Sequence, residues 1–148
     1  AWMIAYLDTS VLVRAFLPDE HGYLEARDLL ANAEIALVTG TWTRIELISA
    51  LSRAARAGRR EAVVLLDAAL SAMAEAGPVA VVAAPQDDIE RVAFDLAKEY
   101  GLRAMDAWHV ACALIVLPQL AEPGEGQAFA TRDSEQATVA QVSGLQVL

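Results

Sequence analysis

The sequence predicts an α/β fold, a central parallel sheet of about five strands between two helical layers in a three-layer α/β/α arrangement. Two observations predict it. Short apolar runs alternate with longer segments of helical periodicity. The runs are continuously apolar rather than alternating, so helices cover both faces of the sheet. No internal repeat, low-complexity tract or linker divides the 148 residues, a length that suits one domain.

Ile4 to Leu7 reads as a buried strand. Asp8, Thr9 and Ser10 follow, all residues that cap helices, and Val11 to Leu17 reads as a helix stopped by Pro18. Asp19 can cap a second helix running to about Leu30. Ile35 to Val38 is a second strand. Thr41 to Ala57 is a long helix ending near Gly58, and Glu61 to Ala74 is another, closed by Gly77-Pro78. That helical pair reads as an excursion off the sheet. Val79 to Ala83 is a third strand. Asp87 opens a helix with Ile89, Val92, Ala93, Leu96 and Tyr100 on one face and Gly101 at its end. Ala104 to Leu117 is an apolar, buried helix. Two prolines and two glycines make Pro118 to Gln127 a loop. Ala128 to Thr131 is a fourth strand, Asp133 to Val139 a short helix, and Leu145 to Leu148 a fifth strand.

The domain is expected to span residues 3–148, with Ala1 and Trp2, ahead of Met3, read as an expression remnant. A chain this long buries about 68–70% of its unfolded surface, so it folds without disulfide or metal. At 56% hydrophobic residues, wholesale disorder is excluded. No apolar run approaches the ~20 residues of a membrane span, and no signal peptide opens the chain. A cytoplasmic location without membrane partners is the expectation. Cys112 is the single cysteine, which excludes an internal disulfide and suits a core position. Net charge is −9, the opposite of a basic nucleic-acid footprint. Yet Arg44, Arg53, Arg56, Arg59 and Arg60 lie close together, five of the eleven basic residues.

Ligands of open parallel sheets bind beyond the carboxyl ends of the strands. Asp8 stands just past the first strand and Asp133 just past the fourth; Glu46 lies in the first turns after the second strand, and Asp106 opens the buried helix. Gathered at one end, four carboxylates repel one another and raise one another's pKa. A divalent cation removes that conflict, and hard oxygen ligands favour Mg²⁺ or Mn²⁺ over zinc. Such a site activates water, and two metals can clamp an in-line phosphoryl displacement. Each acid also suits a helix start. Asp8, Asp106 and Asp133 fit N-caps, and Thr43-Arg44-Ile45-Glu46 fits a capping box. The two roles are compatible. Asp87, Asp88 and Glu90 read as ordinary cap and surface acids.

At this point the residues carry a resemblance. Leu7-Asp8-Thr9-Ser10-Val11-Leu12 resembles the opening of PIN domains, and Thr43 to Leu47 their second motif. Leu102 to Ala111, with Asp106-Ala107-Trp108-His109 inside it, is similar to their third and most specific motif, and Thr131-Arg132-Asp133 to their fourth. The motifs come in family order and span nearly the whole chain from Met3. The resemblance implies a PIN-like sheet of five strands, Mg²⁺ or Mn²⁺ as cofactor, and hydrolysis of single-stranded or looped RNA, tRNA among the candidates. It assigns Asp8, Glu46, Asp106 and Asp133 as catalytic metal ligands, Asp8 and Asp106 first; Thr9, Ser10 and Thr131 read equally as hydrogen-bonding support for that site and as local cap or turn residues. The size resembles VapC toxins, which dimerise and are silenced by a small VapB-type antitoxin. Trp108 stands where a smaller aliphatic residue is more usual, and Gln136 where many relatives carry an apolar or aromatic one.

His109 lies one helical turn after Asp106 and reads as a core histidine bonded to a neighbour, since the family pattern has no His ligand. His21 reads as solvated. Arg53, Arg56 and Arg60 follow a helical spacing that forms either a solvated face or an RNA phosphate contact. Two other functions compete. An Asp-based phosphatase would want a second acid two residues after Asp8, where Ser10 stands. A degenerate PIN domain acting as a non-catalytic binding module is opposed by the four intact acids.

Overall fold

All five residues of strand β1 (Met3–Leu7) are buried, and strand alternation divides them between two layers. Met3, Ala5 and Leu7 enter one core; Ile4 and Tyr6 enter the other. The computed structural model describes residues 1–59 and 61–148. Its sheet has five strands in the order β3-β2-β1-β4-β5, every pairing parallel. The others are β2 (Ile35–Gly40), β3 (Val79–Val82), β4 (Gly126–Ala130) and β5 (Gln146–Val147). The backbone of Trp2 joins this sheet too, donating to Glu34 O and accepting from Gly126 N, so the ladder begins before Met3.

Helices α1 (Thr9–Phe16), α2 (Tyr23–Ala31), α3 (Thr41–Arg56) and α4 (Glu61–Ala72) cover the first face. Leu47 and Leu51 from α3 and Ala69 from α4 sit in the same core as Leu7, so the α3–α4 pair is part of this layer and no excursion from it. Each fully buried leucine there contributes about 1.5–3 kcal/mol. Helices α5 (Gln86–Tyr100), α6 (Ala104–Leu120) and α7 (Ser134–Val142) cover the second face. Every residue of α6 from Ala107 to Ala113, Cys112 included, is buried, as suits a helix apolar on all sides.

Four expectations need correction. Helix α2 starts at Tyr23 rather than at Asp19. Gly22, at φ +85°, turns the chain into the helix, while Asp19 and Glu20 pair with Arg59 in the preceding turn. Helix α6 runs through Pro118 to Leu120, because a proline in the last turn deletes one N–H and the chain can still close Ala121 N onto Leu117 O. Tyr100 does not belong to the buried face of α5; it is exposed. Strand β5 is two exposed residues at the sheet edge rather than four. Among the described residues, no helix is long and apolar enough to cross a membrane.

The chain runs from β1 outward to β2 and β3, then returns across β1 to β4 and β5. That reversal leaves a crevice at the carboxyl ends of β1 and β4, the position where open α/β sheets bind ligands.

Candidate functional site

Asp8 leaves β1 with its N–H still in the ladder, donating to Ala130 O at 3.0 Å. Asp8 is 5% exposed, and a charge so deep needs hydrogen-bond donors. Oδ2 accepts from Ser10 Oγ at 2.7 Å and lies 3.3 Å from Thr131 Oγ1; Oδ1 lies 3.4 Å from Gln136 Nε2. Asp8 also caps α1, accepting from Ser10 N at 3.4 Å. Thr131 has a single hydroxyl proton, and the shorter path at 2.9 Å gives it to Gln136 Oε1. The Gln136 amide then bridges two acids, reaching Asp8 and donating to the backbone oxygen of Asp106 at 3.2 Å.

Glu46 is held from the opposite side. The Gly40 N–H donates to Tyr6 Oη at 3.1 Å, and the Tyr6 hydroxyl lies 2.7 Å from His109 Nδ1. Both ring nitrogens of His109 are thereby engaged, Nδ1 with the phenol and Nε2 with Glu46. Nε2 faces Glu46 Oε1 at 2.5 Å, and Thr9 Oγ1 donates to the same oxygen at 2.9 Å. Burial raises the Glu46 pKa, but the His109 hydrogen bond and charge and the Thr9 hydroxyl outweigh it, leaving the group below its ordinary value. Burial also pushes Tyr6 well above its ordinary value, helped by Cys112 and Asp8 alongside. His109 is thus the bonded core histidine expected, and its partners are Tyr6 and Glu46.

Asp106 sits in the first turn of α6. It is not the N-cap, a position taken by Arg103 with no side-chain cap. Burial, then the carboxylates of Asp133 and Asp8, raise its pKa, against a partial offset from Arg103 and His109. Asp133 does cap its helix: Oδ1 accepts from Glu135 N at 2.8 Å and Gln136 N at 3.1 Å. The capping box expected at Thr43–Glu46 does not form. Helix α3 begins at Thr41 after Gly40, Thr43 bonds Thr39 instead, and Glu46 is free to meet His109.

Asp8, Glu46 and Asp106 line one cleft together with Thr9 and Ser10. Asp133 stands on the other side of Asp106, in an adjoining hollow. Among the described residues, no three His, Cys, Asp or Glu side chains close into a ligand cage. The hydrogen bonds explain this: Asp133 is turned to α7, Asp8 to Gln136 and Ser10, Glu46 to His109. The donor set still fits a hard divalent cation. It is all oxygen, it comes from four separate segments, and its mutual repulsion is visible in the raised pKa of Asp106.

Of the arginines, Arg53 lines the cleft and Arg56 is exposed outside it; Arg60 lies outside the described residues. His21 is exposed, as expected. Sequence reasoning missed Tyr6 and the bridging role of Gln136, as well as Arg14, Arg103 and Arg132 at the rims of the two hollows. The available signal was Gln136 itself, a polar residue where an apolar one packs.

Fold and site together define an open parallel α/β protein with an acidic centre at the reversal point of its sheet. Residues 5–142 match the PIN domain family, and the chain belongs to it. PIN domains are generally nucleases. No curated protein matches the chain. In fold the chain is similar to PAE2754 from Pyrobaculum aerophilum, known from a crystal structure, at 20% identity and TM-score 0.60, over 98% of this chain and 89% of that one.

Proposed function

We propose that the chain is an Mg²⁺- or Mn²⁺-dependent endoribonuclease hydrolysing RNA phosphodiester bonds, and the toxin of a VapC-type toxin–antitoxin pair. The observation that carries this is the cleft where Asp8, Glu46 and Asp106 converge beside Asp133, with the Asp106 pKa raised by burial and then by its acidic neighbours. When bound, a divalent cation supplies the charge neutralisation and water activation that phosphodiester hydrolysis needs. Asp8 and Asp106 are its first ligands, with Glu46 and Asp133 completing the set. Thr9 holds Glu46 and Ser10 holds Asp8, while Thr131 orients Gln136, which fixes the spacing of Asp8 and Asp106. Arg53 at the cleft wall meets RNA phosphate.

The toxin reading adds partners. Trp42, Ile45 and Phe94 are large, apolar and exposed around the cleft, which suits a homodimer and an amphipathic antitoxin segment reaching the acids. The test is RNA cleavage by purified protein in Mn²⁺, together with growth on induction. Cleavage is expected to stop in chelator, small phosphate esters to stay intact, and a cognate antitoxin to relieve growth inhibition. Chelator-insensitive cleavage, or none by folded protein, would remove the metallonuclease. Unimpaired growth with intact soluble protein would remove the toxin role.

A further inference from the structure

We infer that Arg14 and Arg132 form a phosphate-binding pair that seats an RNA backbone phosphate beside the acidic centre. The identity of the anion as RNA rests on the ribonuclease reading; the pair itself rests on geometry. Arg14 comes from α1 and Arg132 from the β4–α7 connection, distant in sequence. A Cβ placed on Gly22 would stand 3.2 Å from Arg14 Nη1 and 3.8 Å from Arg132 Nε, so the two guanidinium groups are neighbours across that glycine. Each presents a planar fork of N–H donors.

Among the described residues, neither makes an ion pair. Glu20, the acid lining the cleft beside Arg14, is taken by Arg59 at 3.5 Å. Two like charges brought together without a counter-ion do not stabilise a fold. They do suit a bidentate oxyanion, which guanidinium groups recognise by shape as well as charge.

Their position ties them to the site. The Arg132 N–H donates to Ser10 Oγ at 3.3 Å, and the same oxygen's proton goes to Asp8 Oδ2 at 2.7 Å. Arg14 lines the cleft that holds Asp8, and Arg132 the hollow that holds Asp133. A chain of net charge −9, with acids at its centre, repels a polyanion. The pair supplies a local attraction at the rim, where the phosphate next to the scissile one would lie.

The experiment is binding of a labelled single-stranded oligoribonucleotide in chelator, by fluorescence anisotropy over a range of salt. Arg14→Gln and Arg132→Gln are each expected to reduce the slope of log K against log salt by about 0.7, and the double variant by about 1.4. Arg91→Gln, whose arginine pairs with Asp88 on α5, is expected to keep the parent slope. The melting temperatures of the two variants should not fall, since each removes one of two neighbouring like charges. Parent slopes in both variants, or no binding by the parent at low salt, would overturn the pair. A melting temperature that falls while the slope stays would make the arginines structural instead. Binding is read without metal, so reduced slopes in a protein that never cleaves in Mn²⁺ would keep the pair and remove the ribonuclease.

Discussion

At Asp106, burial and the carboxylates of Asp133 and Asp8 disfavour the ionised form in the folded state. A raised folded pKa gives stability that is present below the unfolded value, about 3.9, and lost as pH rises through the folded one. Without metal, Asp106→Asn is therefore expected to be more stable than the parent at pH 7, with the difference vanishing toward roughly pH 3.5. Glu46 runs the other way. Its lowered pKa gives stability present above about pH 4.3 and lost as pH falls through the folded value. Urea unfolding of both parent and variant across this range checks the two signs; a variant less stable at pH 7 would contradict the electrostatic account. Gln136 offers a sharper change. Gln136→Leu keeps the volume but strips donors from Asp8 and Asp106 O and an acceptor from Thr131. A loss of about 1–3 kcal/mol for the first unsatisfied group is expected from denaturant curves. A neutral result would mean that water replaces the amide.

Between β2 and α3, Gly40 joins the fold to the site. A Cβ there would lie 2.6 Å from Tyr6 Oη and 2.7 Å from the Trp108 ring. Gly40→Ala must push α3 away from β1 and α6, lengthening the line from Tyr6 through His109 to Glu46. We expect about 1–3 kcal/mol of destabilisation and a weaker Mn²⁺-induced rise in melting temperature, both read by thermal unfolding with and without metal. Unchanged values would show that the junction relaxes without moving Glu46. The same junction marks where the sequence was legible and where it was not. All five strands and seven helices could be anticipated, because apolar runs and helical periodicity are local signals. Asp8 and Asp133 could be placed because each directly follows a strand. The Thr43–Glu46 capping box failed because tertiary partners, Thr39 and His109, outbid a local motif. Tyr6, Arg14 and the bridging role of Gln136 escaped notice for a related reason. Their roles depend on which segments the sheet order makes neighbours, and apolar periodicity does not encode that order.

For the whole molecule, the acids constitute a reservoir of repulsion that a cation should discharge. By mass action, the parent is expected to gain about 2.7 kcal/mol when free Mn²⁺ is 100 times its dissociation constant. Asn caps a helix about as well as Asp, so Asp8→Asn keeps its cap, and Asp106 caps no helix; both variants therefore preserve local structure while removing a proposed charged ligand. Both are expected to lose most of that gain and to cleave RNA at background rate, while Asp88→Asn, distant on α5, keeps both properties. Thermal unfolding with and without Mn²⁺, beside a cleavage assay, decides it. Retention of the metal shift by both Asn variants would relocate the site.

The pairing of Met3 with Gly126 and Leu7 with Ala130 carries a consequence for the order of synthesis. The central strand is made well before its neighbour β4, with α1 to α6 synthesised between them. Until β4 emerges, β1 has an unpaired edge, and Asp8 lacks Thr131, Gln136 and the companion charge of Asp133. A nascent chain can bury much of α1 to α6 and still be without its acidic centre. The segment from β4 to α7, which brings Thr131, Asp133 and Gln136, acts as the clasp. If the proposed ribonuclease activity holds, a ribosome making this protein is surrounded by its substrate throughout, and the chain becomes competent to attack it only when that clasp closes.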